Sequence, residues 1–395
     1  MQPLKGLTVV TLEHAIAAPF ATRQLADLGA RVIKIERPGS GDFARGYDSR
    51  VKGLASHFVW TNRSKESLTL DVKHPEAAKL LERIVIEKAD VVMQNLAPGA
   101  AARLGLGYER LSALKPGIIV CDISGYGSDG PYRDKKAYDL LIQSEAGFVS
   151  VTGTPDEPSK AGPSIADIAA GMYAYTNVLA ALLQRGQTGR GQHIDISMLE
   201  ALTEWTSYPL YYAFDGAPPP PRTGASHATI YPYGPFPAGD GGTVMMGLQN
   251  EREWVNFCEK VLQQPALAQD PRFAGNAKRV AEREALRALI VEAFKPLTSA
   301  QVVERLDLAQ IANARVNSMA EVWAHPQLQA RGRWREVGTS AGPVPALLPP
   351  GSWDVSDEGP RMDPVPALGE HTDAILAELG LDASAIRDLH ALGAV

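Results

Sequence analysis

LTVVTLEHAIAAPFATRQLADLGARVIKIE (7–36) is the stretch that decides how this chain folds. Leu7 to Glu13 is apolar and β-branched, the composition of a strand packed on both faces. Pro19 to Leu28 reads as a helix, and Arg31 to Glu36 again as a strand. Two strands separated by a helix cannot pair through a hairpin. They need a crossover, which makes them parallel neighbours in one sheet.

The same alternation runs on to about residue 200. A helix is expected over Pro75 to Lys88, a strand over Asp90 to Leu96, a helix near Arg103 to Leu114 and a strand over Gly117 to Ile123. The helix Ile165 to Arg185 leads through GQTGRGQ (186–192) to the strand HIDISM (193–198). Repeated strand–helix units predict an α/β fold with an open parallel sheet of Rossmann-like type. Beyond it, the four prolines Pro218 to Pro221 force a stiff, extended connector. The run 230–248 around Gly239 to Gly242 then reads as a β-hairpin. Helices are expected at Glu251 to Val261, Arg279 to Phe294 and Ser299 to Leu306, making a smaller α+β domain. The expected division is a large domain at 1–200, a proline-rich linker at 201–227, a small domain at 228–330, a return linker at 331–370 and a helical tail at 371–395 that covers the first domain.

Length, at 395 residues, exceeds what one core usually supports, in keeping with two domains. A net charge of −6 without a basic block argues against nucleic acid as a partner. The N-terminus lacks the pattern of a signal peptide. The longest apolar segment, IADIAAGMYAYTNVLAALL (165–183), carries Asp167 and reads as an amphipathic or buried helix rather than a membrane span. Cys121 and Cys258 have no metal-ligand spacing, and Cys121, in IIVCDI, reads as a core residue. A cytoplasmic location is expected, with no membrane attachment and no metal.

Parallel sheets bind ligands at the carboxyl ends of their strands. The loop after the first strand, EHAIAAPF, has no glycine, so the dinucleotide fingerprint is missing and a nicotinamide-dependent dehydrogenase loses its support. Arg37, with Arg45 nearby, follows the second strand in ERPGSGDFARG. Lys73, Asn95 and Arg103 lie at other strand ends. Each reads singly as a solvated surface group, and together as an anion-binding rim. Walker, GxSxG and HExxH motifs are absent. Asp167 admits two readings. It is a first-turn acid favoured by the helix dipole, or a carboxylate among small residues (Ala166, Ala169, Ala170, Gly171) where an acyl group has room to approach.

Taken in order, several motifs resemble the class III (family III) CoA-transferases, a family that includes the α-methylacyl-CoA racemases. They are PLKGLTVVTL (3–12), LADLGARVIKIERPGSGD (25–42), ISGYGSDGPY (123–132), AYDLLIQSEAG (137–147), ADIAAGMYA (166–174) and TGRGQHIDISMLEAL (188–202). YPYGPF (231–236) with DGG (240–242), HPQLQARG (325–332) and GEHTDAILAELG (369–380) follow. The resemblance implies CoA transfer between carboxylic acids through an aspartyl nucleophile at Asp167, with acyl-CoA as substrate and no permanently bound cofactor. It implies CoA contacts at Ile16, Ala17, Arg37, Leu70, Asp71, Lys73, Asn95, Leu96 and Arg103. Ile16 stands where some relatives have glutamine, so only its backbone contact would survive. The resemblance also implies an interlocked homodimer, each chain a ring threaded by the other.

Racemases of the family carry a histidine where this chain has Tyr138, and a glutamate where it has Gln249. A phenol and a neutral amide are poor partners for abstracting an α-proton, which favours transfer over racemisation. A non-enzymatic CoA-binding module is the remaining alternative. RTGASHATIYPYGPF and GLQNEREW resemble enzymes using succinyl-CoA and C4 to C5 dicarboxylates such as itaconate, mesaconate, citramalate or malate. Arg222 and His227 are expected to clamp a distal carboxylate, His227 reading equally as an exposed loop residue. Gly247 to Gln249 is expected to form a lid over the reacting groups.

Overall fold

Six parallel strands organise the first part of the computed structural model, which describes residues 2–351 and 359–395. They are β1 (Thr8–Leu12), β2 (Arg31–Glu36), β3 (Lys65–Thr69), β4 (Val91–Gln94), β5 (Ile119–Ser124) and β6 (His193–Ser197), ordered β3-β2-β1-β4-β5-β6. Val10 pairs with Ile33 on one side and Val92 on the other, so strand order reverses beside β1. The loops leaving β1 and β4 therefore part in a crevice at the carboxyl edge, where such sheets bind ligands.

The chain divides into two compact units. One holds Met1–Gly147, Gly162–Thr206 and Leu328–Val395; the other holds Phe148–Ala161 and Ser207–Gln327. This differs from the division drawn from sequence: residues 148–161 leave the large domain, and the proline run lies inside the second unit instead of linking two domains. The return segment contains a hairpin, β10 (Trp334–Val337) with β11 (Val344–Leu347), and residues 352–358 of it lie outside the described residues.

In the first unit, Val10, Ile33, Leu68 and Val92 share a core with Ile375, Leu376 and Leu389 of the tail helices Thr372–Glu378 and Ala383–Ala391. Thr372 Oγ1 accepts the Thr69 N–H at 3.0 Å, which ties the tail to β3. The long helix Ile165–Thr188 has the length and composition to cross a membrane. Here its alanine face is buried against the helix Ala17–Asp27. Gly171 makes that approach possible, because a Cβ there would lie 2.7 Å from the Ala17 carbonyl oxygen.

The second unit has an antiparallel sheet of β7 (Tyr233–Pro237), β8 (Thr243–Gly247) and β9 (Ala312–Arg315), with the expected β7–β8 hairpin. Its core gathers Phe236, Trp254, Phe257 and Phe273 around the helix Arg283–Phe294.

Candidate active site

Asp167 lies in the first turn of the helix Ile165–Thr188, whose N-cap, Ser164, supplies no side-chain hydrogen bond. An acid from another helix does that work. Asp139 Oδ1 accepts the Ala166 N–H at 2.8 Å and the Asp167 N–H at 3.4 Å, and Asp139 Oδ2 accepts from Gln143 Nε2 at 2.7 Å. One carboxylate thus satisfies two orphan donors of the helix and fixes the direction of the turn bearing Asp167. Asp167 is half-buried and lines a cavity of about 810 Å³. Burial, and then the charge of Asp139, push its carboxyl up to about 7. Among the described residues no donor to that carboxylate contributes to its acidity. At neutral pH the group is available as an oxyanion that its surroundings solvate poorly, which suits a nucleophile.

On the same cavity wall stands the loop that leaves β1. Asn95, at the end of β4, accepts the His14 N–H at 2.8 Å and donates to the His14 carbonyl at 2.9 Å, clamping the loop across the switch point. Ala15 has φ +61°, a left-handed conformation that costs a non-glycine residue about 1 kcal/mol. Ile16 follows as the N-cap of Ala17–Asp27 and, being isoleucine, leaves the first N–H groups of that helix without a side-chain acceptor. Ile16, Ala17 and Asp167 line one cavity.

Beneath the loop lies a fully buried ionic network. Lys34 Nζ donates to Asp42 Oδ2 at 2.7 Å, and Lys65 Nζ to Glu13 Oε1 at 2.6 Å. Thr22 Oγ1 donates to Glu13 Oε2 at 2.6 Å. Burial works to raise Glu13, yet Lys65 and Lys34 hold it below the usual carboxylate range. Burial pushes Lys65 down to about 7 in spite of Glu13.

The sequence-based candidates separate into groups. Ile16, Ala17, Asn95, Leu96 and Tyr138 share the cavity of Asp167. Arg37, Leu70, Asp71, Lys73 and again Leu96 line a second cavity of about 500 Å³ at the strand ends. His14 and Leu96 belong to both, so the cavities share a wall. Arg37 and Lys73 are exposed. Arg103 is exposed in the short helix Ala100–Arg103 and lines neither cavity. Arg45, near Arg37 in sequence, is paired with Glu36 at 2.7 Å and lies 3.7 Å from the centre of the Phe58 ring.

Arg222 and His227 have backbone partners of their own. Arg222 donates to the carbonyls of Thr154 at 2.9 Å and Pro155 at 2.8 Å, with a longer bond to Ser150 at 3.4 Å. His227 Nδ1 accepts the N–H groups of Thr229 and Ile230 at 3.2 and 3.0 Å, and its ring stacks on Tyr233. Both side chains hold backbone within the second unit, a task that competes with gripping a substrate carboxylate. Gly247 lies in β8, where a Cβ would come within 2.8 Å of the Tyr233 ring. Gln249 donates its backbone N–H to Glu253 Oε2 at 2.7 Å at the start of the helix Glu251–Asn256.

Asp139 and Asp42 were not singled out by sequence as working parts of the site. Asp139 is one of many acids in helical first turns, and no local pattern says that the helix it caps begins 26 residues later. Among the described residues no group of three or more metal-ligating side chains is found. Cys121 and Cys258 are buried free thiols, Cys258 being pushed up to about 12 by burial.

The family model described as CoA-transferase family III matches residues 4–372. A succinate–glutarate CoA-transferase of Agrobacterium fabrum is 36% identical over 389 residues, covering 95% of this chain and 96% of that protein. The human succinyl-CoA:glutarate CoA-transferase is 32% identical, covering 100% of this chain and 90% of its own. The crystal structure of a CAIB/BAIF family protein from Brucella suis superposes with a TM-score of 0.83 at 36% identity, over 95% of this chain and 99% of that one.

Proposed function

This chain belongs to CoA-transferase family III, and from that premise we propose that it moves CoA from succinyl-CoA to a C4 to C5 dicarboxylate through covalent intermediates on Asp167. The two glutarate-named relatives make glutarate the first acceptor to try, beside itaconate, mesaconate, citramalate and malate. The observation that carries the reading is the Asp167 carboxyl, near 7 and in a roomy cavity beside an uncapped helix start.

In this reading the Asp167 carboxylate attacks the thioester carbonyl. The C–S bond breaks, the CoA thiolate leaves, and a mixed anhydride remains. The thiolate then attacks the aspartyl carbonyl and releases the donor acid, giving an aspartyl-CoA thioester. The acceptor carboxylate attacks that carbonyl and expels the thiolate once more. Finally the thiolate takes the new acyl group and frees Asp167. Water must be kept from the anhydride. Ile16 and Ala17 stand where backbone N–H groups meet the negative charge that develops. The second cavity, with Arg37 and Lys73, suits the phosphates of CoA.

A second copy of the chain completes the reading. Tyr208, Leu210, Tyr211 and Phe214 are at least half exposed on one short stretch, a patch that supports a homodimer. The free, buried thiols fit a reducing, cytoplasmic location.

The test is direct. The enzyme is mixed with succinyl-CoA, quenched with hydroxylamine, and its peptides are weighed. A hydroxamate at residue 167, with acceptor-dependent appearance of new acyl-CoA, is the expected result. Transfer without modification of Asp167 removes the nucleophile, and no transfer to any of the five acids removes the substrate class.

A further inference from the structure

The Ala15 turn is strained, and one buried side chain holds it. Asp42, fully buried, accepts the Ala15 N–H with Oδ1 at 3.2 Å and the Ala44 N–H at 2.9 Å. Its Oδ2 accepts from Lys34 Nζ at 2.7 Å, and Lys34 is fully buried too. A carboxylate kept out of water persists when a cation and several N–H groups replace the solvent. Capping the short helical turn Phe43–Gly46 accounts for the Ala44 bond, but not for the reach back to Ala15. Two residues on from Ala15, the helix Ala17–Asp27 begins on the wall of the Asp167 cavity. Backbone held in a disfavoured region beside reacting groups points to a functional constraint.

We propose that Asp42 is a positioning residue of the transfer reaction: through the Ala15 N–H it holds the turn that sets the start of the helix Ala17–Asp27 beside Asp167. The proposal rests on the transferase reading. Lys34 supplies the charge that keeps Asp42 ionised, and Asn95 fixes the preceding residue by both its backbone groups. Without Asp42 the alanine relaxes out of the left-handed region, and the N–H groups that follow shift away from where charge develops.

Glycine enters the left-handed region without the steric cost of a Cβ, which gives the test its discriminating arm. Full-length Asp42→Ala, Asp42→Asn and the double variant Asp42→Ala with Ala15→Gly are compared at a temperature where each is folded. kcat, KM for succinyl-CoA and calorimetric binding of CoA are measured. Asp42→Ala is expected to lose at least thirtyfold in kcat/KM. Asp42→Asn, which keeps an acceptor oxygen, stays within about fivefold of wild type. Adding Ala15→Gly restores at least fivefold of what Asp42→Ala lost. Equal losses in Asn and Ala variants, no restoration by glycine, or a folded Asp42→Ala enzyme within threefold of wild type each overturn the proposal. Should Asp42→Ala yield no folded protein, Ala15→Val decides, because a β-branched residue resists positive φ and leaves the ionic network intact. A tenfold loss is expected, and wild-type kcat/KM overturns the claim. If the wild-type enzyme transfers nothing, the transferase reading falls by itself. CoA affinity then judges Asp42: a tenfold weakening is expected in the alanine variant, and an unchanged Kd overturns the role.

Discussion

Asp139 accepts the backbone N–H of Asp167 at 3.4 Å while its charge raises the pKa of that residue's side chain. One carboxylate therefore does two jobs, and they are separable. Asparagine at 139 keeps an acceptor oxygen for the helix N–H groups but removes the negative charge. The Asp167 carboxyl, near 7 in the native enzyme, then falls, although burial continues to hold it above the ordinary carboxylate range. Since the ionised form attacks, the acid limb of the kcat profile should move to lower pH in Asp139→Asn. An unmoved limb would mean that the limb belongs to another group.

Asp167 should also weaken the fold at neutral pH. Its folded pKa lies above the unfolded one, so the native state binds the proton more tightly. That contribution is fully present below about pH 4 and disappears as pH rises through about 7. Ionisation then leaves a poorly solvated charge, with about 4 kcal/mol as the ceiling and less in practice for a half-buried group. Asp167→Asn is expected to raise Tm at pH 8 and to change it little at pH 4.5. Equal Tm differences at both values would contradict the account.

How far the sequence announced all this depends on the range of the interaction. β1 and β2 were legible because their apolar runs need both faces buried, and the crossover made them parallel. β3 reads KESLT and was announced only by Lys73 at its expected end, because its own lysine is buried, with Nζ donating to Glu13 Oε1 at 2.6 Å, the Pro19 carbonyl at 3.0 Å and Asn62 Oδ1 at 3.1 Å. Arg37 and Lys73 were found by a topological rule about strand ends and Leu96 by the family resemblance, and the structure gathers the three around one cavity. The backbone partners of Arg222 and His227 were not legible, because a free guanidinium and one bound to three carbonyls have the same letters. Asp139 and Asp42 act through backbone N–H groups 27 residues away, a distance at which no local pattern speaks.

Arg222 should prove to be a structural residue. Its three carbonyl acceptors at residues 150, 154 and 155 lose their donors in Arg222→Ala. Hydrogen bonds from charged groups contribute about 1.5–3 kcal/mol each when buried, and less where, as here, water reaches them. Lower stability of roughly 1–2 kcal/mol in urea is expected. KM for the acceptor acid should stay within twofold of wild type. A large rise in that KM with unchanged stability would reinstate the clamp read from sequence.

Gly171 sets how close the Asp167 helix comes to the loop after β1. In most helices glycine-to-alanine stabilises, by about 1 kcal/mol, because alanine loses less backbone freedom. Here the added Cβ would stand 2.7 Å from the Ala17 carbonyl oxygen and 3.0 Å from the Phe20 ring. The oxygen is backbone and has no rotamer to escape into, so the two helices must separate. Overpacking of this kind costs about 1–3 kcal/mol, which outweighs the gain in propensity. The separation falls between Asp167 and the helix start that faces it, so the chemical step should suffer more than the fold. Gly171→Ala is expected to lower Tm by a few degrees and kcat by at least tenfold. A variant with raised Tm and native kcat would show that the spacing of these two helices is not what places Asp167 for attack.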